Sequence, residues 1–223
     1  MSGQVTQTEC IQTNRLELKS YKISDKEQLI KLLTNTEVTK TFMVPEFKSL
    51  KQVLDLVCKL IEFSKAEDTT HLEYGIYLNG TLIGFINDCG LDDEEIEIGY
   101  VIHPDYKGQG YATEAVSAVI MDLFKMGFKK ITAGCFEENI ASRRVMEKCG
   151  MQLIEKSNIE EYRGVSHICR YFEITNPNML RLRPYKGVMR KPSSHGAKTK
   201  SVLENGVLTD GIPFPLRKTQ GEP

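Results

Sequence analysis

The chain has 223 residues, 40% of them apolar and 26% charged, which suits one globular domain with an appendage and argues against a second large domain. Lys and Arg number 29 against 30 Asp and Glu, so the formal charge is −1 and bulk attraction to DNA, RNA or anionic lipid is excluded as a basis for function. No stretch approaches 18 consecutive apolar residues and residues 1 to 7 lack signal-peptide patterning, so a cytoplasmic protein without a membrane partner is expected.

Charge divides the chain. Residues 176–223 hold 9 Lys or Arg, 3 Asp or Glu and six of the eight prolines, without apolar periodicity. The expected organisation is a domain over 1–175 followed by a basic, Pro-containing tail over 176–223, flexible or loosely docked.

Alternation over residues 13 to 19 predicts a first strand. Ser24 and Glu27 offer a capping box for a helix carrying Leu29, Ile30, Leu32 and Leu33, and Ser49 with Gln52 offers another for a helix to about Lys65 with Leu50, Val53, Leu54, Val57, Cys58 and Ile61 on one stripe. Asn79-Gly80, between runs 74–78 and 81–86, is a strong hairpin signal. A strand over 95–102 stops at His103-Pro104, and the loop to Gly110 enters a helix striped by Ala115, Val116, Val119, Ile120, Leu123 and Phe124 and closed by Gly127. A strand over 130–136, a short helix over 140–148 stopped by Gly150, and two strands around Tyr162-Arg163-Gly164 complete a mixed α/β (α+β) domain. The six cysteines form no C-x-x-C pair, so buried thiols are expected, with no disulfide, zinc site or other metal.

The segment most informative for chemistry is Tyr106-Lys107-Gly108-Gln109-Gly110-Tyr111-Ala112-Thr113, a glycine-bearing turn from strand to helix. Its backbone N–H groups add to the positive end of the helix dipole, making a site for a pyrophosphate. The spacing matches neither the phosphate loop of nucleotide hydrolases nor the six-residue dinucleotide fingerprint, so a different phosphate-bearing cofactor is required.

These residues resemble the GNAT superfamily of acetyl-CoA-dependent N-acyltransferases, whose motif Q/R-x-x-G-x-G/A spans this loop; Lys107 stands where the family prefers Gln or Arg, keeping charge but losing a bidentate donor. Thr13-x-Arg15-Leu16-x-Leu18, Gly99-Tyr100-Val101-Ile102-His103-Pro104, Gly110-Tyr111-Ala112-Thr113-Glu114-Ala115 and Asn139-Ile140-Ala141-Ser142-x-x-Val145-x-Glu147-Lys148-x-Gly150 together resemble the ribosomal-protein N-terminal acetyltransferase branch over about residues 11 to 175. The resemblance implies a GNAT fold: a mostly antiparallel sheet of about seven strands with helices on both faces, splayed between strands 4 and 5. It also implies acetyl-CoA as co-substrate and an amine acceptor, with a protein N-terminal α-amine favoured and a small molecule such as a polyamine, amino acid or antibiotic as the alternative. A non-catalytic acyl-CoA-binding module is a second alternative, and a monomer or homodimer is expected.

Acetyl transfer needs a neutral amine, a donor for the developing oxyanion and a proton for the departing thiolate. The resemblance points to Glu161 as first candidate base and Glu97 as second, with Ser142 as proton donor. Coenzyme binding falls to the backbone of Val101 and Ile102, to Lys107, Gly108, Gln109, Gly110, Tyr111, Ala112 and Thr113, and to Asn139 and Ser142; Tyr100 and Tyr162 are assigned to the acceptor site. Met146 occupies the position, seven after Asn139, where many members carry an acidic tyrosine.

Overall fold

The computed structural model describes residues 7 to 65 and 71 to 177. In chain order its elements are β1 (Cys10–Gln12), β2 (Leu16–Lys19), α1 (Lys26–Thr34), α2 (Thr36–Thr39), α3 (Leu50–Phe63), β3 (Glu73–Leu78), β4 (Thr81–Leu91), β5 (Glu95–Ile102), α4 (Tyr111–Met126), β6 (Lys130–Phe136), α5 (Ile140–Lys148), β7 (Gln152–Tyr162) and β8 (Val165–Thr175). The strands form one sheet of eight, ordered β1-β2-β3-β4-β5-β6-β8-β7, antiparallel throughout except for β5 and β6. The eighth strand is β1, whose three residues are too few to register as alternation.

Strand alternation sends successive side chains to opposite faces and so builds two cores. Phe85 and Val101 face α1 and α3, meeting Leu29, Leu32 and Leu33 of the first helix and Val53, Val57, Leu60 and Ile61 of the second. Ile86, Ile98, Ile131 and Phe172 face the other way, onto Ala115, Val116, Val119 and Leu123 of α4 and Met146 of α5. The α3 stripe is rotated from the expected one: Leu50 is 65% exposed and Leu54 37%, while Leu56 and Leu60 are buried in their place.

Two turns follow their chemistry closely. Asn79 and Gly80 both have positive φ, +49° and +79°, the two-residue geometry whose twist matches a hairpin, and Arg163 with Gly164 repeats it between β7 and β8. Ser49 caps α3 by accepting from Gln52 N–H, and the Gln52 side chain accepts in turn from Lys48 N–H at 2.7 Å. The box expected at Ser24 does not form. A short 3-10 turn, Ile23–Asp25, precedes α1, and the Asp25 carboxylate accepts from Lys22 N–H at 2.7 Å while also receiving the Tyr77 hydroxyl, which buries it.

The feature that matters for function is where the sheet parts. Strands β5 and β6 pair only at Glu95↔Lys130, Ile96↔Ile131 and Glu97↔Thr132. Beyond that, β5 stays with β4 as far as Ile102↔Gly84 and β6 stays with β8 as far as Phe136↔Cys169, so a wedge opens between them. A bulge at Cys89 in β4 lies opposite the point of divergence and adds local twist. Asn176 closes the other end of β6 by donating its backbone N–H to the Lys129 carbonyl at 2.9 Å. Apart from Asn176 and Pro177, the expected tail lies outside the described residues. Among the described residues no helix is long and apolar enough to cross a membrane.

Candidate active site

The loop after β5 delivers backbone donors to one end of the wedge. Lys107 N–H bonds back to the Pro104 carbonyl at 3.1 Å, and Gly108 and Gly110 then take φ of +78° and +83°. The first intrahelical bond of α4 is Glu114 N–H to Gly110 C=O at 3.0 Å, so the amides of Tyr111, Ala112 and Thr113 project from the helix start. The glycines are required by their left-handed backbone and not by crowding: a Cβ on Gly108 would meet nothing within 4 Å, and one on Gly110 only Arg15 Nη2 at 3.5 Å.

Arg15 braces this loop from β2's leading turn. Its Nε and Nη2 reach Glu114 Oε2 at 2.7 and 2.6 Å, its Nη1 donates to the Gln109 carbonyl at 3.0 Å, and its guanidinium lies 4.5 Å from the Tyr111 ring centroid. Glu114 Oε1 also accepts from Thr13 Oγ1 and Arg15 N–H. Burial pulls the Glu114 carboxyl upward in pKa, but the Thr13 and Arg15 hydrogen bonds outweigh it and hold the group below the usual carboxylate value. The Thr13-x-Arg15 pattern therefore locks the loop to α4.

A cavity of about 380 Å³ runs from this loop through the wedge. Its loop end is lined by Lys107 together with Arg144 and Lys148 of α5, which stand i and i+4 on one helix face. Its far end is lined mainly by apolar groups, among them Val38, Phe42, Met43 and Phe136; Glu97 is the one carboxylate among the described lining residues. Three cations at one end and one anion at the other suit a polyphosphate and an amine respectively.

The peptide groups of β5 alternate between β4 and the wedge. His103 N–H donates to the Ile83 carbonyl, and the Val101 carbonyl would lie 2.1 Å from a Cβ on Gly84, so odd-numbered peptides turn toward β4. Those of Tyr100 and Ile102 face the wedge. The Ile102 peptide, expected to meet the coenzyme, thus opens onto the wedge together with that of Tyr100, whereas the Val101 peptide is engaged with β4.

The sheet separates the candidate side chains. On the α4 and α5 face, the Tyr100 hydroxyl donates to the Ser142 carbonyl at 3.0 Å and shares a 2.7 Å hydrogen bond with Ser142 Oγ. Burial pushes the Tyr100 phenol well above its ordinary pKa, against a smaller lowering by the Ser142 bond, which keeps it protonated. Tyr100, expected at the acceptor end, is thus a partner of Ser142. Asn139 Oδ1 caps α5 by accepting from Ser142 N–H at 3.1 Å, which leaves its Nδ2 as the donor side. Glu97 lies on the opposite face with Gly99 and Val101, toward α1 to α3, half-buried and lining the cavity.

Three expected residues stand outside the lining. Glu161 is exposed on the β7–β8 hairpin, where its carboxylate accepts from Ser166 Oγ. Tyr162 instead anchors the segment between α2 and α3: its hydroxyl donates to the Phe42 carbonyl and accepts from Val44 N–H, each at 3.4 Å, beside two cavity residues, Phe42 and Met43. Gln109 contributes its carbonyl to Arg15. The residues that sequence reasoning missed are Arg144 and Lys148, whose spacing reads as an ordinary solvated helix face, and Phe42, Cys89 and Cys135, which reach the cavity only through the fold.

A family model described as an acetyltransferase (GNAT) domain matches residues 15–152. The chain is 29% identical over 147 residues to the uncharacterized N-acetyltransferase YoaA of Bacillus subtilis strain 168, an alignment covering 64% of this chain and 82% of that protein. The crystal structure of a GNAT-family acetyltransferase from Bacillus anthracis is similar with a TM-score of 0.64 at 27% identity, covering 74% of this chain and 98% of that one. RimL, a ribosomal L7/L12 alpha-N-protein acetyltransferase solved in complex with coenzyme A, has the same fold at 17% identity with a TM-score of 0.64, covering 75% of this chain and 98% of its own. With the family model matching most of its length, the chain belongs to the GNAT acetyltransferases and is an acetyl-CoA-dependent N-acyltransferase.

Proposed function

We propose that the chain acetylates the α-amine of a protein N-terminus, with the coenzyme's diphosphate on the α4 loop, its pantetheine arm in the wedge and Glu97 as the base. The observation that carries this reading is the single cavity joining the cationic loop end to Glu97 through the parted strands.

The donor supplies a thioester carbon already activated for attack by nitrogen. Around it, the N–H of Tyr100 or Ile102 meets the carbonyl oxygen as negative charge develops, and Asn139 Nδ2 orients the amide-bearing arm. Glu97, across the sheet, removes the proton of the incoming amine, while the Tyr100 and Ser142 hydroxyls stand on the sulfur side as a proton source. An α-amine titrates near ~8, against ~10.4 for a lysine, so one carboxylate suffices to supply the neutral nucleophile. A polyamine carries several cations, and the acceptor end offers only Glu97 to them among the described lining residues.

The test is thiol release from acetyl-CoA across a panel: peptides with free Ser, Ala or Met α-amines, an Nα-acetylated lysine peptide, spermidine and an aminoglycoside. Turnover confined to the α-amine peptides is expected, and selective turnover of a small amine would overturn the acceptor assignment. Glu97→Gln should lower turnover by about 10²-fold with coenzyme affinity unchanged. Unchanged turnover, or a comparable loss in Glu161→Gln, would reassign the base.

A further inference from the structure

We propose that the acceptor N-terminus begins with an apolar residue such as Met or Leu, whose side chain sits beside Glu97 against Phe42, Met43 and Phe136; this rests on the α-amine reading given above and names the substrate class within it. All four residues line the cavity, and Phe42 and Met43 are half-buried, so they keep surface to offer a ligand.

The parted strands divide the sheet into two leaves, β1–β5 and β6–β8, and each contributes a wall to this space. Glu97, Gly99 and Val101 alternate to one face of β5. Because Glu97 pairs with Thr132, the residues Thr132, Gly134 and Phe136 of β6 project to that same face. Phe42 descends on it from the segment between α2 and α3. A Cβ on Gly99 would stand 3.3 Å from Phe42 Cε2, so the ring covers Gly99, two residues along from Glu97. Phe85 holds that ring edge to face, with 5.4 Å between centroids. On the other leaf, the Phe136 ring centroid lies 6.0 Å from that of Tyr162, whose hydroxyl reaches the Phe42 carbonyl and Val44 N–H. Tyr162 therefore ties the segment bearing Phe42 and Met43 to the leaf bearing Phe136.

A terminal residue carries its amine and its side chain on one carbon, so an amine brought to Glu97 delivers that side chain onto the neighbours of Glu97. Those neighbours include Val38, Phe42, Met43 and Phe136, whose side chains have no hydrogen bond to give. A Met or Leu side chain gains by leaving water there. The hydroxyl of a first-position Ser is desolvated against them without a partner, and a first-position Asp brings a second negative charge beside Glu97. A lysine side-chain amine arrives on an unbranched stem and leaves the apolar wall unused.

The test measures kcat/KM at saturating acetyl-CoA for four peptides that differ only in their first residue: Met, Leu, Ser or Asp. The Met and Leu peptides should exceed the Ser peptide by about tenfold and the Asp peptide by about 10²-fold. Phe42→Ala should lower the Met-to-Ser ratio to about threefold or less and Phe42→Leu should restore it, with calorimetric coenzyme A affinity unchanged in both. If Phe42→Ala fails to fold, Met43→Ser, at a half-buried residue outside both core clusters, should lower the ratio in the same way. Equal kcat/KM for the Met and Ser peptides, a preference for Ser, or a ratio unmoved by the folded variant would overturn the proposal while leaving α-amine acetylation standing. Turnover of none of the four peptides would overturn the α-amine reading and this proposal with it.

Discussion

Replacing Arg15 by Ala removes a brace that never touches the cavity, and its effect on the coenzyme can be worked from the contacts. The substitution deletes two bonds to Glu114 Oε2 and one to the Gln109 carbonyl, together with packing over Tyr111, but leaves Thr13 Oγ1 and the residue 15 N–H on Glu114 Oε1. The Arg15 side chain is 44% exposed, so solvent screening limits the forked ion pair to about 1 kcal/mol. The carbonyl bond adds about 0.5 kcal/mol. Expressed fully as loss of loop order, the sum corresponds to a decrease of about tenfold in coenzyme A affinity. Arg15→Lys keeps the attraction to Glu114 but cannot fork to both partners, so a loss of about threefold is expected. Calorimetric titration with coenzyme A measures both variants, and kcat at saturating acetyl-CoA should stay within about twofold of the parent because no reacting group is moved. Coenzyme A affinity unchanged in Arg15→Ala would refute the idea that the turn leading into β2 governs the loop.

Gly110→Ala should weaken coenzyme A binding and cost about 1–2 kcal/mol of stability in denaturant melts, because φ of +83° is strained for any residue with a Cβ even though room exists for one; an unaltered melt and titration would show that the loop tolerates another backbone shape. Glu73, buried between its neighbours and receiving the Tyr21 hydroxyl, has its pKa pushed well above the usual range, first by burial. Its contribution to stability is thus complete below about pH 4.3 and declines as pH rises toward the folded-state value, by up to about 1.4 kcal/mol per pH unit. Glu73→Gln should flatten that part of the stability profile, and parallel profiles for parent and variant would contradict the assignment. Ending the chain after Asn176 should preserve coenzyme A binding, since the bond from Asn176 to Lys129 is retained; lost binding would place part of the ligand site in residues 177–223.

Elements whose identity depends on a local rule were readable in advance. Asn79-Gly80 announces its turn because both residues tolerate positive φ, and the Gly108-Gln109-Gly110 step announces a helix entry with free amides. What depends on neighbours was not. Ser24 is a good cap in isolation, but α1 begins only at Lys26, and the Asp25 carboxylate turns back to Lys22 N–H and to the Tyr77 hydroxyl, delivered from a strand far along the chain. Arg144 and Lys148 look like any exposed i, i+4 pair until the parted strands place a cavity beside them. Tyr100 alternates along β5 with Ile98 and Ile102, but that their shared face is the one covered by α4 and α5, beside Ser142, follows only from the packed sheet.

Among the described residues, three ladder pairs join β5 to β6, with the partly exposed ion pairs Lys129–Glu94 and Lys130–Glu95 latching the closed end. A ligand whose own amides bridge Tyr100 and Ile102 to β6 would act as a surrogate strand, supplying rungs that the polypeptide omits. Occupancy would then be written into the mechanics of the whole sheet: amide exchange on both leaves should slow together when the gap is filled, and the protein's resistance to heat should track the length of pantetheine arm offered to it.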